Sequence, residues 1–233
     1  MLNTMDVVHV HHPFLSGSMA LRYCRPRGIP TLFTNHTRYM ALGDSIAAGY
    51  GAIPATQGYV YLLYQDSVYD TVQNTLFCNA AVPGATSKDV LDYQVPQVAL
   101  FHPNVITLTV GGNDLFAIME GADPEEVLNT FAMNLQQILY KLRAEAPDAR
   151  IYVSNQYSVP EIAGSDQIVP VFNNVVSQAA EAFGVTVVDV YSAFEGRRGL
   201  LLIERHDAAP DQAHPTNAGY RAIANAFEAA VRH

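Results

Sequence analysis

Short apolar runs alternate with longer amphipathic stretches along most of this 233-residue chain. From residue 39 onward the alternation predicts βαβ units and a parallel sheet. Tyr39-Met40-Ala41-Leu42 is short, apolar and stopped by Gly43-Asp44, as a first strand would be. A helix is expected from about Gln57 to Tyr69, then a second strand over Thr75–Ala80 closed by Pro83-Gly84. Val105–Val110 is β-branched and stopped by Gly111-Gly112, which marks a third strand. Asp123-Pro124-Glu125-Glu126 then opens a helix: Asp123 can cap it, Pro124 suits its first position and Glu126 can complete a capping box. Val127, Leu128, Phe131, Leu135, Ile138, Leu139 and Leu142 follow at helical spacing and predict its buried stripe. Pro147 ends it. Ile151–Val153 and Val185–Val190 supply two further strands with a helix near Val169–Phe183 between them. A closing helix starts at about Asn217 and turns Tyr220, Ile223, Ala224, Phe227 and Val231 to the core.

The expected architecture is therefore α/β, a three-layer α/β/α sandwich around a parallel sheet of about five strands. Residues 6 to 38 stand outside it. Asp6–His11 reads as a strand, Ser18–Arg25 as a helix and Pro30–Thr34 as another strand, an extra βαβ-like unit ahead of a complete domain. The chain thus divides into an N-terminal extension, residues 1–38, and a main domain, residues 39–233.

Composition narrows the function. At 49% hydrophobic and 15% charged the chain is globular, and its net charge of −9 argues against nucleic acid, whose phosphates need clustered Lys and Arg. No apolar run reaches the roughly 18 residues of a membrane span. The opening MLNTMDVVHVHHPF lacks the basic and long apolar regions of a signal peptide, so a cytoplasmic location is expected. Cys24 and Cys78 form no C-x-x-C pair and read as reduced thiols. His9 and His11 alternate onto one face of a strand, as two metal ligands would, but no third ligand with suitable spacing follows, and no metal is expected.

In a parallel sheet, ligands sit at the carboxyl ends of the strands. There the sequence places Gly43-Asp44-Ser45, Pro83-Gly84 and Gly111-Gly112-Asn113-Asp114, with Asp211-Gln212-Ala213-His214-Pro215 just before the closing helix. Acyl transfer needs a nucleophile, a base, a group to orient the base and donors for the developing oxyanion. These loops hold candidates for all four. A lone Gly-Asp-Ser would be only a turn. No G-x-S-x-G elbow is present, which argues against an ordinary α/β-hydrolase.

Taken together the four segments resemble the blocks of the SGNH (GDSL) hydrolases, in order and on the expected elements, over about residues 39 to 233. Ala41–Gly51 is similar to the first block, Asn79–Thr86 to the second, Gly111–Asp114 to the third and Asp211–Pro215 to the last. The resemblance implies a flavodoxin-like fold and a serine esterase with no metal or organic cofactor. Ser45 would attack the ester carbonyl from the start of a helical turn. His214 would act as its base and Asp211 would orient His214. The backbone N–H groups of Ser45 and Gly84 and the side-chain amide of Asn113 would form the oxyanion hole. Asp44 and Asp114 are expected to be structural, bonding loop backbone.

The substrate implied is a small-molecule carboxylic ester, with a short-chain acyl or aryl group. O-acetylated carbohydrate is an alternative with the same triad. Tyr59, Tyr61, Tyr64, Tyr69 and Tyr93 could line an acyl groove, although packing is their default role, and the segment between Ser158 and Pro170 could shape a pocket. The N-terminal unit has a second resemblance: Asp6–Leu15, Gly28-Ile29-Pro30 and Thr34–Tyr39 are similar to a piece of the N-terminal domain of GT-B glycosyltransferases. That likeness leaves two further alternatives, a fusion scar and a sugar- or nucleotide-binding module beside a vestigial hydrolase site. The unit's strands could also extend a sheet edge or exchange with another subunit in a homo-oligomer.

Overall fold

The structure, a computed structural model, describes residues 8–10, 22–33, 36–204 and 213–232. Five parallel strands form one sheet in the order β4-β3-β5-β6-β7: β3 (Thr37–Gly43), β4 (Thr75–Asn79), β5 (Val105–Thr109), β6 (Arg150–Ser154) and β7 (Thr186–Val188). Two earlier strands, β1 (Val8–Val10) and β2 (Thr31–Phe33), pair in parallel with each other in a separate sheet. The helix expected over Ser18–Arg25 lies only partly within the described residues, with helical turns at 22–24 and Arg25–Arg27. His11 and His12 lie outside them, as does Asp211. Cys24 and Cys78 are free thiols.

Period-two alternation divides the central strands between two cores. Met40, Leu42, Ile106, Leu108, Ile151 and Val153 face one side, and Tyr39, Ala41, Val105 and Tyr152 face the other. The first face is covered by α4 (Pro124–Glu145) and α5 (Ser165–Ala182), with a mixed helical segment beside them. The predicted stripe of α4 holds: Phe131, Leu135, Ile138, Leu139 and Leu142 are fully buried, with Val127 and Leu128 partly so. The second face is covered by α2 (Tyr59–Gln65), α6 (Val190–Phe194) and α7 (Asn217–Arg232). Of the predicted face of α7, Tyr220, Ile223, Ala224 and Phe227 are buried and Val231 is partly so.

Two helices differ from expectation. The α2 helix spans Tyr59–Gln65 rather than the longer run, because Gly58 is its N-cap and Ser67 takes a positive φ just past its end. The α5 helix begins a turn earlier than Val169 and carries Pro170 inside it. As the sixth residue of the helix it lies past the first turn, so the helix gives up the backbone bond that would run to the Asp166 carbonyl. Among the described residues no helix is long and apolar enough to cross a membrane.

The order β4-β3-β5 sets the location of the site. The connection leaving β3 runs to β4 and that leaving β5 runs the opposite way to β6, so a crevice opens at the carboxyl ends of β3 and β5, where such sheets bind ligands.

Candidate active site

Ser45 starts α1 (Ser45–Ala48), one helical turn directly after β3. The turn between them is tight. The Gly43 φ is +139°, and a Cβ there would lie 2.1 Å from the Thr109 carbonyl oxygen, so only glycine lets the ends of β3 and β5 approach. The Asp44 N–H donates to that same carbonyl (3.2 Å), and Asp44 Oδ1 accepts from Ile46 N–H (2.9 Å), which caps the turn. Burial pushes the Asp44 carboxyl up to about 7. Asp44 is structural, as expected.

His214 reaches Ser45 from the far end of the chain, its Nε2 2.8 Å from Ser45 Oγ. Several bonds anchor the described part of the segment that holds it. Leu202 N–H donates to the His214 carbonyl and Thr216 N–H to the Leu200 carbonyl, both at 2.8 Å, around an antiparallel bridge between Leu201 and Pro215. Tyr157 Oη donates to the Ala213 carbonyl (2.8 Å). The Tyr50 ring lies against the imidazole, centroids 4.6 Å apart. Tyr220 Oη in turn donates to the Tyr50 carbonyl at 2.7 Å.

Asn113 lies in the first turn of α3 (Gly112–Met119), just after β5. Its Nδ2 donates to the Ala85 carbonyl at 2.8 Å. An amide has two N–H donors, so one remains for a ligand. Gly84 adjoins Ala85, with a φ of +84°. Asp114 ties the same two loops together, accepting from Ser87 N–H (2.9 Å) and Ser87 Oγ (2.6 Å). Burial raises the Asp114 carboxyl above the usual carboxylate range, against the lowering effect of those bonds.

A cavity of about 560 Å³ opens beside these groups, with Ser45, Asn113 and His214 on one wall. Its other walls are mainly apolar side chains of α3 and of the 159–169 segment, which does shape the pocket, with Gln156, Ser165 and Gln167 among them. Gly84 is exposed and does not line it. Neither do Tyr59, Tyr61, Tyr64, Tyr69 or Tyr93. Tyr59 stacks on Phe227 and Tyr64 on Phe77, so these rings pack the fold.

Several supporting groups have no counterpart in the sequence reading. Gln94, almost fully buried, takes the Gly43 N–H on its Oε1 (2.7 Å) and donates its Nε2 to the Gly43 carbonyl (2.8 Å). Asn134, in the apolar stripe of α4, donates to Ser87 Oγ (2.9 Å). Gln156 donates to the Val110 carbonyl (2.8 Å), and its backbone is held at both ends by Asn173 (2.7 and 2.8 Å). Asn134 could have been found, since a polar residue three positions after Phe131 shares its buried face. Gln94 and Gln156 gave no periodic signal.

Comparison with known proteins follows this geometry. Residues 41–222 match the GDSL-like Lipase/Acylhydrolase family. No curated protein matches the sequence significantly. Among solved structures the chain is similar to TesA, with 22% identity, a TM-score of 0.66 and coverage of 84% of this chain and 98% of that one. An acetylxylan esterase from Geobacillus stearothermophilus, Axe2, is 19% identical over 86% of this chain and 97% of its own, with a TM-score of 0.67. The lipase Lip_vut3 from a goat rumen metagenome is 25% identical over 83% and 97%, with a TM-score of 0.65. Fold, ordered sequence blocks and family match agree, and the chain belongs to the GDSL-like lipase/acylhydrolase family, whose chemistry is ester hydrolysis.

Proposed function

We propose that this carboxylic ester hydrolase works through an acyl intermediate on Ser45, with His214 as general base and then general acid. The observation that carries this is the 2.8 Å contact between His214 Nε2 and Ser45 Oγ at the mouth of an apolar cavity. It lies within the range for proton transfer between a nucleophile and its base. As Ser45 Oγ bonds to the ester carbonyl carbon, its proton passes to Nε2. The oxyanion that forms is met by the Ser45 N–H and by the second N–H of Asn113; a part for the Gly84 N–H rests only on the resemblance of its loop to the second block of the family, since Gly84 does not line the cavity. Collapse expels the alcohol, which takes the proton from His214, and water repeats the sequence to release the acid. The assignment of Asp211 as the orienter of His214 rests on the resemblance of its loop to the last block of the family.

The acyl group sits in the cavity. An acetyl group there would leave most of the apolar wall without contacts, which favours simple acyl esters over O-acetylated carbohydrate. The test is hydrolysis of p-nitrophenyl butyrate by the wild type and by Ser45→Ala. The variant is expected to lose at least about 1,000-fold in kcat, and the wild type to show a burst of p-nitrophenol. Equal rates would overturn the assignment.

A further inference from the structure

The apolar cavity shares part of its lining with a second one. Phe116 and Met119 of α3 and Ile162 and Ala163 of the loop before α5 line the first, and all four also line the second, more open cavity on the outer side. These four residues are a partition between two spaces. Phe116 and Met119 are 40% and 46% exposed, because each shows one side of its side chain to the outer space. Ile203 continues the apolar lining outward, and Glu120 and Glu161 stand at the rim.

We infer that Phe116 and Ile162 set the acyl-chain preference: a saturated chain of about eight carbons fills the inner cavity, and longer chains pass between these two side chains into the outer groove. This rests on the reading of Ser45 as the nucleophile. The length follows from α3, whose residues line the inner cavity from Gly112 to Met119. Met119 is six helical steps beyond Asn113, about 9 Å at about 1.5 Å per residue. An extended tetrahedral chain advances about 1.2 Å per bond, judging from about 3.3–3.6 Å for the three bonds of an extended residue. Seven or eight bonds therefore span the wall. The volume does not limit the chain further, since about 560 Å³ falls in the range of roughly 300–1,000 Å³ that encloses whole small ligands and so has room for the ester group and part of the alcohol as well. The carboxylates of Glu120 and Glu161 specify a neutral alkyl tail, because an anionic one would be repelled at the exit.

The experiment is the kcat/KM of straight-chain p-nitrophenyl esters from acetate to dodecanoate. In the wild type it should rise about threefold to fourfold per added methylene up to octanoate, then level off. Phe116→Trp, which narrows the partition, should lower the dodecanoate-to-acetate ratio by at least about tenfold. Ile162→Ala, which widens it, should raise the dodecanoate-to-octanoate ratio. An acetate optimum, or variants that shift every ester by a common factor, overturns the inference while Ser45-dependent hydrolysis leaves the function standing. Calorimetry with sodium decanoate separates the two failures. Binding by the Ser45→Ala protein, weakened when Phe116→Trp is added, supports the chain site even if the wild type hydrolyses nothing. Absence of decanoate binding by Ser45→Ala overturns it.

Discussion

Asp44 combines two demands in one buried carboxyl group. It must cap the turn that starts at Ser45, and it must do so away from water, which drives its pKa up to about 7. The folded chain therefore keeps a proton that the unfolded chain has released above its ordinary value near 4. Between those values the native state binds more protons, so stability is greatest at low pH and is lost as pH rises through the folded value. Asp114, also raised by burial, acts in the same direction. We expect the wild type to lose a few kcal/mol between about pH 4 and about pH 7 from these groups, and little more above that. Asp44→Asn keeps an oxygen for the Ile46 N–H and caps as well as aspartate, so it should flatten that slope. Urea unfolding at a series of pH values checks both, and an unchanged slope in the variant would assign the proton elsewhere. Asn113 makes a second prediction at this scale. With one N–H on the Ala85 carbonyl and the other proposed for the oxyanion, Asn113→Ala should lower kcat by about 100- to 1,000-fold with a smaller change in KM, as steady-state kinetics would show.

The element that holds the Ser45 turn in place is not one that periodicity finds. The mixed helical segment runs from an α-helical turn, Ser87–Asp89, through a wide turn, Val90–Gln94, and a tight one, Val95–Gln97, into Val98–Phe101. The wide turn ends on Gln94 and delivers its amide to both backbone groups of Gly43. Wide turns of this kind occur mostly where function needs a side chain re-aimed. Gln94→Leu leaves the buried Gly43 N–H without a partner, although the Gly43 carbonyl keeps its bond from Val82. We expect about 1–3 kcal/mol of lost stability and a fall in kcat, with Gln94→Glu intermediate because it retains the acceptor alone. Thermal unfolding and kinetics on the same preparations test this. The contrast explains what was legible. The strands, α4 and α7 were readable because a buried face repeats with the backbone period, and Ser45, Asn113 and His214 because glycine-rich turns and a loop before a helix set them off. Gln94 and Gln156 reach across the chain to single backbone groups, a long-range match that leaves no local pattern. The start of α5 was missed because Pro170 reads locally as a boundary.

At the scale of the molecule, two apolar cores on opposite faces of one sheet fix the crevice between β3 and β5, and every described residue of the site is held by those cores. The N-terminal strands take no part in this. Among the described residues they pair with each other and with no strand of the main sheet, and the family match begins at residue 41. Solved structures of this fold are covered almost entirely, 97% and 98% of Axe2 and TesA, by 86% and 84% of this chain. The sheet's own start is secured locally: Arg38 N–H donates to Asn104 Oδ1 (2.8 Å) and Arg38 Nε to the Phe101 carbonyl (2.7 Å). Those bonds come from the main domain and survive removal of what precedes them. We therefore propose that the unit before β3 is dispensable for catalysis, and that a chain beginning at Asn35 folds and hydrolyses p-nitrophenyl butyrate with kcat/KM within about threefold of the full chain, since stability carried by separate units adds independently. Circular dichroism and kinetics on the shortened chain are the measurement. Cys24 is fully buried, so its surroundings lose cover in that deletion. A large drop in melting temperature with kcat retained would make the unit a stabilising cap. Loss of folding would make it part of the hydrolase domain and remove the boundary drawn at residue 38.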